Sequence, residues 1–145
     1  MEIKELHTKE EMLNCFDILL EVYPSMKLEE YSTELDVMLP HNYGQVVVMD
    51  GETIAGLTGY WMGSKLWCGK YLELDNVVVA EAYRRRGVGK MLFDFMEQRA
   101  KDEGCTMLSL DSYTTNFKAH RFFYGQNFTP TGFHFINILD KSKVR

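Results

Sequence analysis

The spacing of apolar residues predicts strands and helices that alternate along the chain. Residues 2–6 alternate between apolar and polar side chains, which predicts a first strand. Thr8 and Glu11 form a capping-box pattern, and apolar residues behind them recur at helical spacing until Tyr23–Pro24. A weaker helical pattern covers residues 27–39. The amino-terminal part is therefore expected to be a strand followed by two helices.

The middle of the chain carries patterns typical of strands. Residues 45–49 are rich in valine and precede Asp50–Gly51, a pair typical of tight hairpin turns. The partner strand covers residues 53–62, and a connection over residues 63–69 leads to a β-rich run at residues 70–80. A three-stranded meander is the expected result.

The last third of the chain returns to mixed elements. A strong amphipathic helix begins at Val88 and ends at Gly104, followed by a strand over residues 105–110. A short helix at residues 116–124 and a strand at residues 128–139 complete the pattern. The candidate core positions of that last strand are Phe133, Phe135 and Ile138. The order β-α-α-β-β-β-α-β-α-β predicts a single α/β domain over residues 1–145 with a mixed sheet.

Composition and charge exclude several classes of protein. Hydrophobic residues make up 46% of the chain and charged residues 26%, which is typical of a globular domain. The net charge is −5, and dense basic clusters occur only at residues 84–86 and 141–145, so a nucleic-acid partner is not expected. Cys15, Cys68 and Cys105 lie far apart without metal-ligand spacing, so neither a disulfide framework nor a metal is expected.

Targeting segments are also absent from the pattern. The first residues lack the apolar core of a signal peptide, and no apolar run approaches the roughly 20 residues that span a bilayer. We expect a cytoplasmic protein without a membrane partner.

The stretch YRRRGVGK at residues 83–90 is the strongest candidate for ligand chemistry. A nucleotide P-loop needs glycine where Arg84 stands and Ser or Thr where Met91 stands, and a dinucleotide fingerprint needs glycine at Leu92. Both motifs are therefore excluded. The stretch still joins a valine-rich strand to a long helix through two glycines.

Glycines at such a turn allow the backbone to approach an anion, and the helix start adds partial positive charge. A pyrophosphate could then be held by main-chain N–H groups around Gly87 and Gly89, with Lys90 adding side-chain charge. The alternative is a plain strand-to-helix turn with solvated arginines.

Two separate motifs carry a family resemblance. The string Arg84–Gly89 resembles the acyl-CoA signature [Gln/Arg]-x-x-Gly-x-[Gly/Ala] of the GCN5-related N-acetyltransferases (GNAT family). Asn116-x-x-Ala119, followed by an aromatic cluster and Phe128, resembles a second element of that family. The resemblance implies a mixed, mostly antiparallel sheet flanked by helices, in which a splayed strand pair forms the acyl-CoA cleft.

The resemblance also implies a set of residues that bind acetyl-CoA. Main-chain N–H groups from Arg85 through Lys90 would hold the pyrophosphate, and main-chain groups of Val77 and Val79 would pair with the pantetheine arm. The full expected set is Val77, Val78, Val79, Arg84, Arg85, Arg86, Gly87, Val88, Gly89, Lys90, Asn116 and Phe123.

For catalysis, the resemblance implies direct attack of a neutral amine on the thioester. Glu73 stands at the strand position of a glutamate base, and Asp75 shares its face by alternation, so either carboxylate could serve. Many relatives carry a tyrosine acid where this chain has Phe123. Tyr124, next to it, or water would then protonate the thiolate, whose thiol pKa is about 8.5.

The sequence does not identify the amine acceptor. The first two helices and their connection carry an acidic and aromatic set that would suit a cationic amine, although such faces are commonly only solvated. Its members are Glu21, Tyr23, Glu29, Glu30, Tyr31, Glu34 and Asp36. The leading interpretation is an N-acetyltransferase that uses acetyl-CoA and an amine acceptor, and homodimers are common in such families. The alternative is a non-catalytic acyl-CoA-binding sensor, which Phe123 favours and Glu73 opposes.

Overall fold

A computed structural model describes all residues, 1–145. The chain forms two compact units, residues 1–110 and residues 111–145. The first unit contains β1 (Glu2–Leu6), α1 (Lys9–Leu13), α2 (Phe16–Leu19), α3 (Leu28–Met38), β2 (Tyr43–Asp50), β3 (Thr53–Lys65), β4 (Gly69–Val79), α4 (Val88–Asp102) and β5 (Met107–Leu110). Short 3-10 turns lie at Leu39–His41 and Glu81–Tyr83. The second unit contains α5 (Phe117–Gly125).

The five strands form one sheet in the order β1-β2-β3-β4-β5. The first four strands pair antiparallel, and β5 pairs parallel with β4. The predicted meander is thus present as β2, β3 and β4. Its second connection is shorter than expected, because β3 continues to Lys65 and β4 begins at Gly69.

The sheet is covered on both faces. Leu57 and Val78 pack in one core with Met12 and Leu35 from the amino-terminal helices. Gly56, the neighbour of Leu57, points to the opposite face, because successive strand residues alternate. The helix α4 packs there, against β2, β3 and β4.

Gly56 sets how closely α4 approaches the sheet. A Cβ at this position would lie 2.6 Å from Cγ1 of Val88, the first residue of α4, and 3.3 Å from Cδ1 of Leu92. Both distances are shorter than a normal carbon contact. The start of α4 is therefore seated directly over a strand residue that lacks a side chain.

The first predicted helix is divided in two. The Thr8–Glu11 capping box is present, but α1 ends at Leu13 and α2 begins at Phe16. The N–H of Cys15 donates to the Met12 carbonyl at 3.0 Å, which is an i to i−3 bond that tightens the chain between the two helices.

The prediction of a strand at residues 128–139 is wrong. This segment is irregular, and its expected core residues Phe133 and Phe135 are 83% and 90% exposed. Alternating aromatic residues define two faces, but a strand also needs a hydrogen-bonded neighbour, and residues 111–145 contain no other strand. No helix of the chain is both long enough and apolar enough to span a membrane.

Candidate functional site

Strand β4 contains a bulge towards its carboxyl end. Asp75 pairs with Gly59 and Val78 pairs with Leu57, so the single residue Thr58 stands opposite two residues, Asn76 and Val77. Asn76 has a φ of 54°, in the left-handed region that asparagine tolerates better than most residues. A bulge of this kind bends the strand and shifts its alternation by one residue.

The bulge corrects the expected alternation along β4. Strict alternation places Val77 on the same face as Glu73 and Asp75. In the structure Val78 occupies that face instead, 6% exposed and packed in the core with Leu57. The extra residue at the bulge is the physical reason.

Side chains from β2, from α3 and from the segment after α2 form the hydrogen-bond network that holds the bulge. The hydroxyl of Tyr43 donates to Oδ1 of Asn76 at 3.0 Å, and Nδ2 of Asn76 donates to the hydroxyl of Tyr23 at 2.8 Å. The Gln45 amide donates to the hydroxyls of Tyr43 and Tyr31 at 3.0 and 2.8 Å. Burial raises the pKa of Tyr31 to about 12 and that of Tyr43 further, so both phenols stay protonated as donors.

Beyond the bulge, β4 has an open edge. Its pairing with β5 ends at Leu74 and Leu110, whereas the strand continues to Val79. The N–H of Ala80 donates to the Ala55 carbonyl at 3.0 Å. Alternation then directs the main chain of Val78 towards β3 and that of Val79 away from it. Val79, one of the two valines expected to pair with the pantetheine arm, thus presents its main-chain groups to the open edge. Val78, which belongs to the wider cofactor set, does not.

The loop after β4 is held by three contacts to the rest of its unit. The hydroxyl of Tyr83 donates to Asp50 at 3.1 Å. The carboxylate of Glu21 accepts the N–H of Glu81 at 3.2 Å and Nη2 of Arg84 at 2.8 Å. The loop is thus anchored to β2 and to the segment that follows α2.

Three of the four basic side chains of YRRRGVGK already have partners. Arg84 pairs with Glu21 and also donates through Nε to the Val79 carbonyl at 3.3 Å. Arg86 lies over the Tyr83 ring at 4.8 Å, and Lys90 pairs with Asp94 at 2.6 Å. These contacts reduce the charge that the side chains offer to an anion.

The main chain of the same stretch is arranged differently. Arg85 and Gly87 both have positive φ, 62° and 83°. Gly87 is the N-cap residue of α4 and supplies no side chain to satisfy the first N–H groups of the helix. A Cβ at Gly87 would meet no protein atom within 4 Å, so the space beside it is open. An uncapped helix start facing open space is a suitable site for a phosphate group.

The carboxylates expected as bases differ in their surroundings. Both belong to β4 on either side of Leu74, and Glu73 pairs across the sheet with Trp61. Asp75 accepts the Trp61 indole N–H through Oδ2 at 2.9 Å and the N–H of Asn76 through Oδ1 at 2.8 Å. Both oxygens of Asp75 thus serve local structure.

The remaining expected residues lie on or beside α5, in the second unit. Asn116 is the N-cap of this helix, and its Oδ1 accepts the N–H of Ala119 at 3.4 Å. The Phe123 ring contacts Phe122 and Phe128, with centroids 6.0 and 6.4 Å away. Phe123 therefore has a packing role within its own unit.

Tyr124 follows Phe123 on α5 and points elsewhere, because consecutive helical residues are about 100° apart. Its side chain is 61% exposed. Asn127 has a φ of 65°, in the left-handed region that asparagine tolerates.

The acidic and aromatic set on the amino-terminal helices is largely engaged within the chain. Glu21 pairs with Arg84, and Asp36 pairs with Lys9 at 2.7 Å. Tyr31 is buried in the core. These contacts reduce the negative charge that the set offers to a cationic acceptor.

Sequence reasoning missed the residues that shape β4. Asn76, Tyr43 and Trp61 were not singled out, although each now holds the bulge or a carboxylate beside it. The available indication was the pair Asp75–Asn76, since both residue types are depleted in strands yet interrupt a run of apolar residues.

Comparisons with known proteins agree with this architecture. Residues 11–128 match the profile described as "Acetyltransferase (GNAT) family". An uncharacterized N-acetyltransferase of Bacillus subtilis, YhdJ, is 27% identical over 124 residues, which cover 85% of this chain and 87% of that protein.

Solved structures are similar in fold at lower identity. The structure of AAC(6')-Iy in complex with the bisubstrate analog CoA-S-monomethyl-acetylneamine has a TM-score of 0.82 and 14% identity, covering 96% of this chain and 97% of that one. Glucosamine-6-phosphate N-acetyltransferase from Arabidopsis thaliana has a TM-score of 0.75 and 18% identity, covering 96% and 98%. With its mixed five-stranded sheet flanked by helices and its matching profile, the chain belongs to the GNAT family and is an acetyl-CoA-dependent acyltransferase.

Proposed function

We propose that residues 1–145 act as a single N-acetyltransferase domain that transfers the acetyl group of acetyl-CoA to a primary amine. The observation that carries this proposal is the uncapped start of α4, with left-handed Arg85 and Gly87 before it and open space beside Gly87. The family membership of residues 11–128 supplies the class of reaction.

In this proposal, main-chain N–H groups of residues 85–90 hold the pyrophosphate. Small residues at Gly87 and Gly89 allow the anion to approach the backbone, and the helix start contributes about half a positive charge. Arg84, Arg86 and Lys90 contribute less, because their side chains already have partners.

The open edge of β4 is proposed to bind the pantetheine arm through Val79, with Val77 of the bulge two residues before it. The Val79 carbonyl faces away from β3, and at present it accepts a long hydrogen bond from Arg84. A carbonyl oxygen has two lone pairs, so it can accept a second donor without losing the first. The sequence resemblance assigns Asn116 and Phe123 to the same proposed cofactor set.

Glu73 is proposed as the general base. It accepts a proton from the amine as the nitrogen forms a bond with the thioester carbon, and the carbon–sulfur bond breaks. Tyr124, or water in its place, returns a proton to the departing thiolate. Both substrates are bound together, and no acyl group is carried by the protein.

The direct test is thiol release from acetyl-CoA, measured with a panel of polyamines, aminoglycosides and lysine peptides. We expect turnover above the amine-free background with at least one primary amine, and intersecting initial-velocity patterns. Tight CoA binding without turnover on any amine would instead favour a cofactor-sensing role. Parallel velocity patterns would contradict direct attack.

A further inference from the structure

We propose that Asn76 is a positioning residue for acetyl transfer, held by Tyr23 and Tyr43 so that β4 presents its open edge to acetyl-CoA. The inference rests on the proposed function and adds a residue that neither catalytic motif contains. It comes from the hydrogen bonds at the bulge.

Backbone conformation alone makes Asn76 unusual. Its φ of 54° is unfavourable for most side chains, and only glycine, asparagine and aspartate adopt it routinely. Its side chain then adds two further restraints, one hydrogen bond from Tyr43 and one to Tyr23. Conformation and contacts therefore fix this residue independently.

The position of the bulge determines which main-chain groups at the end of β4 face the open edge. A shift of one residue turns every following side chain to the other face of the sheet. With the bulge in place, Val78 is buried in the core and the Val79 carbonyl faces away from β3. Without the bulge, Val78 and Val79 would each point to the opposite face of the sheet. The main-chain groups of Val79 would then face β3 and no longer the open edge.

Through Tyr23, the bulge is connected to the segment that follows α2. The segment after α2 reaches the end of β4 through two contacts, Glu21 with Arg84 and Tyr23 with Asn76. The first contact holds the loop that leads to the anion site, and the second holds the bulge. One short segment therefore contacts the chain on both sides of Val77–Val79, at the bulge and in the loop that follows β4.

The experiment compares wild type with Asn76→Gly, Asn76→Ala and Tyr23→Phe. Glycine retains the left-handed backbone but removes both side-chain hydrogen bonds, whereas alanine also strains the backbone. We measure the Kd of CoA, the KM of acetyl-CoA, kcat and the thermal unfolding midpoint. Loss of two hydrogen bonds predicts a rise of about tenfold in both Kd and KM for N76G, and a larger rise for N76A. Y23F should give a smaller rise in the same direction.

Tyr60→Phe is the matched control. It removes a hydroxyl that donates to Glu5 at 2.6 Å in the same sheet, away from the bulge. It should lower the unfolding midpoint without raising the KM of acetyl-CoA. A purely structural Asn76 would behave as Tyr60 does, with less active protein and unchanged KM, and that result overturns the proposal.

Two further results separate the proposal from the function on which it rests. Wild-type protein that does not bind CoA would overturn both. Wild-type binding with equal Kd and KM in N76G would overturn only the role of Asn76. If N76G does not fold, Y23F decides by the same measurement, since it leaves Asn76 in place: a raised KM supports the proposal and an unchanged KM overturns it.

Discussion

Trp61 donates its indole N–H at 2.9 Å to Oδ2 of Asp75, one of the two candidate bases of the site. The other oxygen of Asp75 accepts the N–H of Asn76, so both oxygens of this carboxylate hold the local structure. Glu73, one position before Leu74, pairs across the sheet with Trp61 itself.

We therefore expect Glu73→Gln and Asp75→Asn to have different effects. E73Q removes the proposed base and should lower kcat by about 100-fold or more. D75N should lower the free energy of unfolding by about 1 kcal/mol. Steady-state kinetics and denaturant unfolding of both variants provide the check. A loss of kcat confined to D75N would reverse the assignment.

Gly87→Ala tests the proposed anion site. The left-handed φ of 83° makes alanine unfavourable by about 1–2 kcal/mol, although the space around it is open. We expect this loss of stability together with weaker CoA binding, measured by titration calorimetry.

Gly104→Ala is the control for backbone strain at Gly87. Gly104 has a φ of 71°, lies beyond the other end of α4 and is equally open. It should lose similar stability and keep the affinity for CoA. Equal affinities in the two variants would contradict a backbone anion site at the start of α4.

Tyr124→Phe examines the proton donor. If the exposed hydroxyl protonates the thiolate, kcat should fall by about 100-fold while the Kd of CoA stays unchanged. Tyr113→Phe, which also alters an exposed tyrosine of the second unit, should retain the wild-type rate. A normal rate in Y124F would assign the proton to water.

Acid stability should depend on Glu11. Chiefly through the side-chain hydrogen bond from Lys4, the pKa of Glu11 is lowered to about 2 from an ordinary value of 4.5. A lowered pKa in the folded state means that the stabilisation is complete above pH 4.5 and is lost as the pH falls towards 2. In Glu11→Gln, unfolding free energy should therefore depend less on pH across that window.

Glu97→Gln serves as the control for charge removal. Glu97 is also an exposed carboxylate bonded to a lysine, Lys101, at 2.6 Å. Chemical denaturation at several pH values compares the three proteins. A pH slope of E11Q equal to that of wild type would contradict the role of Glu11.

Much of this fold follows from local pattern. The capping box at Thr8–Glu11, the hairpin at Asp50–Gly51 and the amphipathic face of α4 are each specified by neighbouring residues, and each is present. The strand expected at residues 128–139 failed because pairing depends on a partner that sequence spacing does not reveal.

The candidate site likewise contains residues that local sequence identifies and residues that it does not. Gly87 could be identified from the sequence, because the backbone conformation that favours glycine before a helix depends only on neighbouring residues. The bulge at Asn76 was not, since it depends on Tyr23 and Tyr43, which lie 53 and 33 residues away in the chain. Alternation therefore assigned Val77 to a face that Val78 occupies.

The close seating of Val88 over Gly56 has a consequence for how this anion site can vary. The height of the helix start above the sheet is set by one absent methyl group, at a residue buried beneath the helix. A larger residue at Gly56 would lift the first turn of α4 and move all of its N–H groups together. Affinity for a phosphate group can thus be tuned from beneath the helix, without altering any atom that the ligand meets.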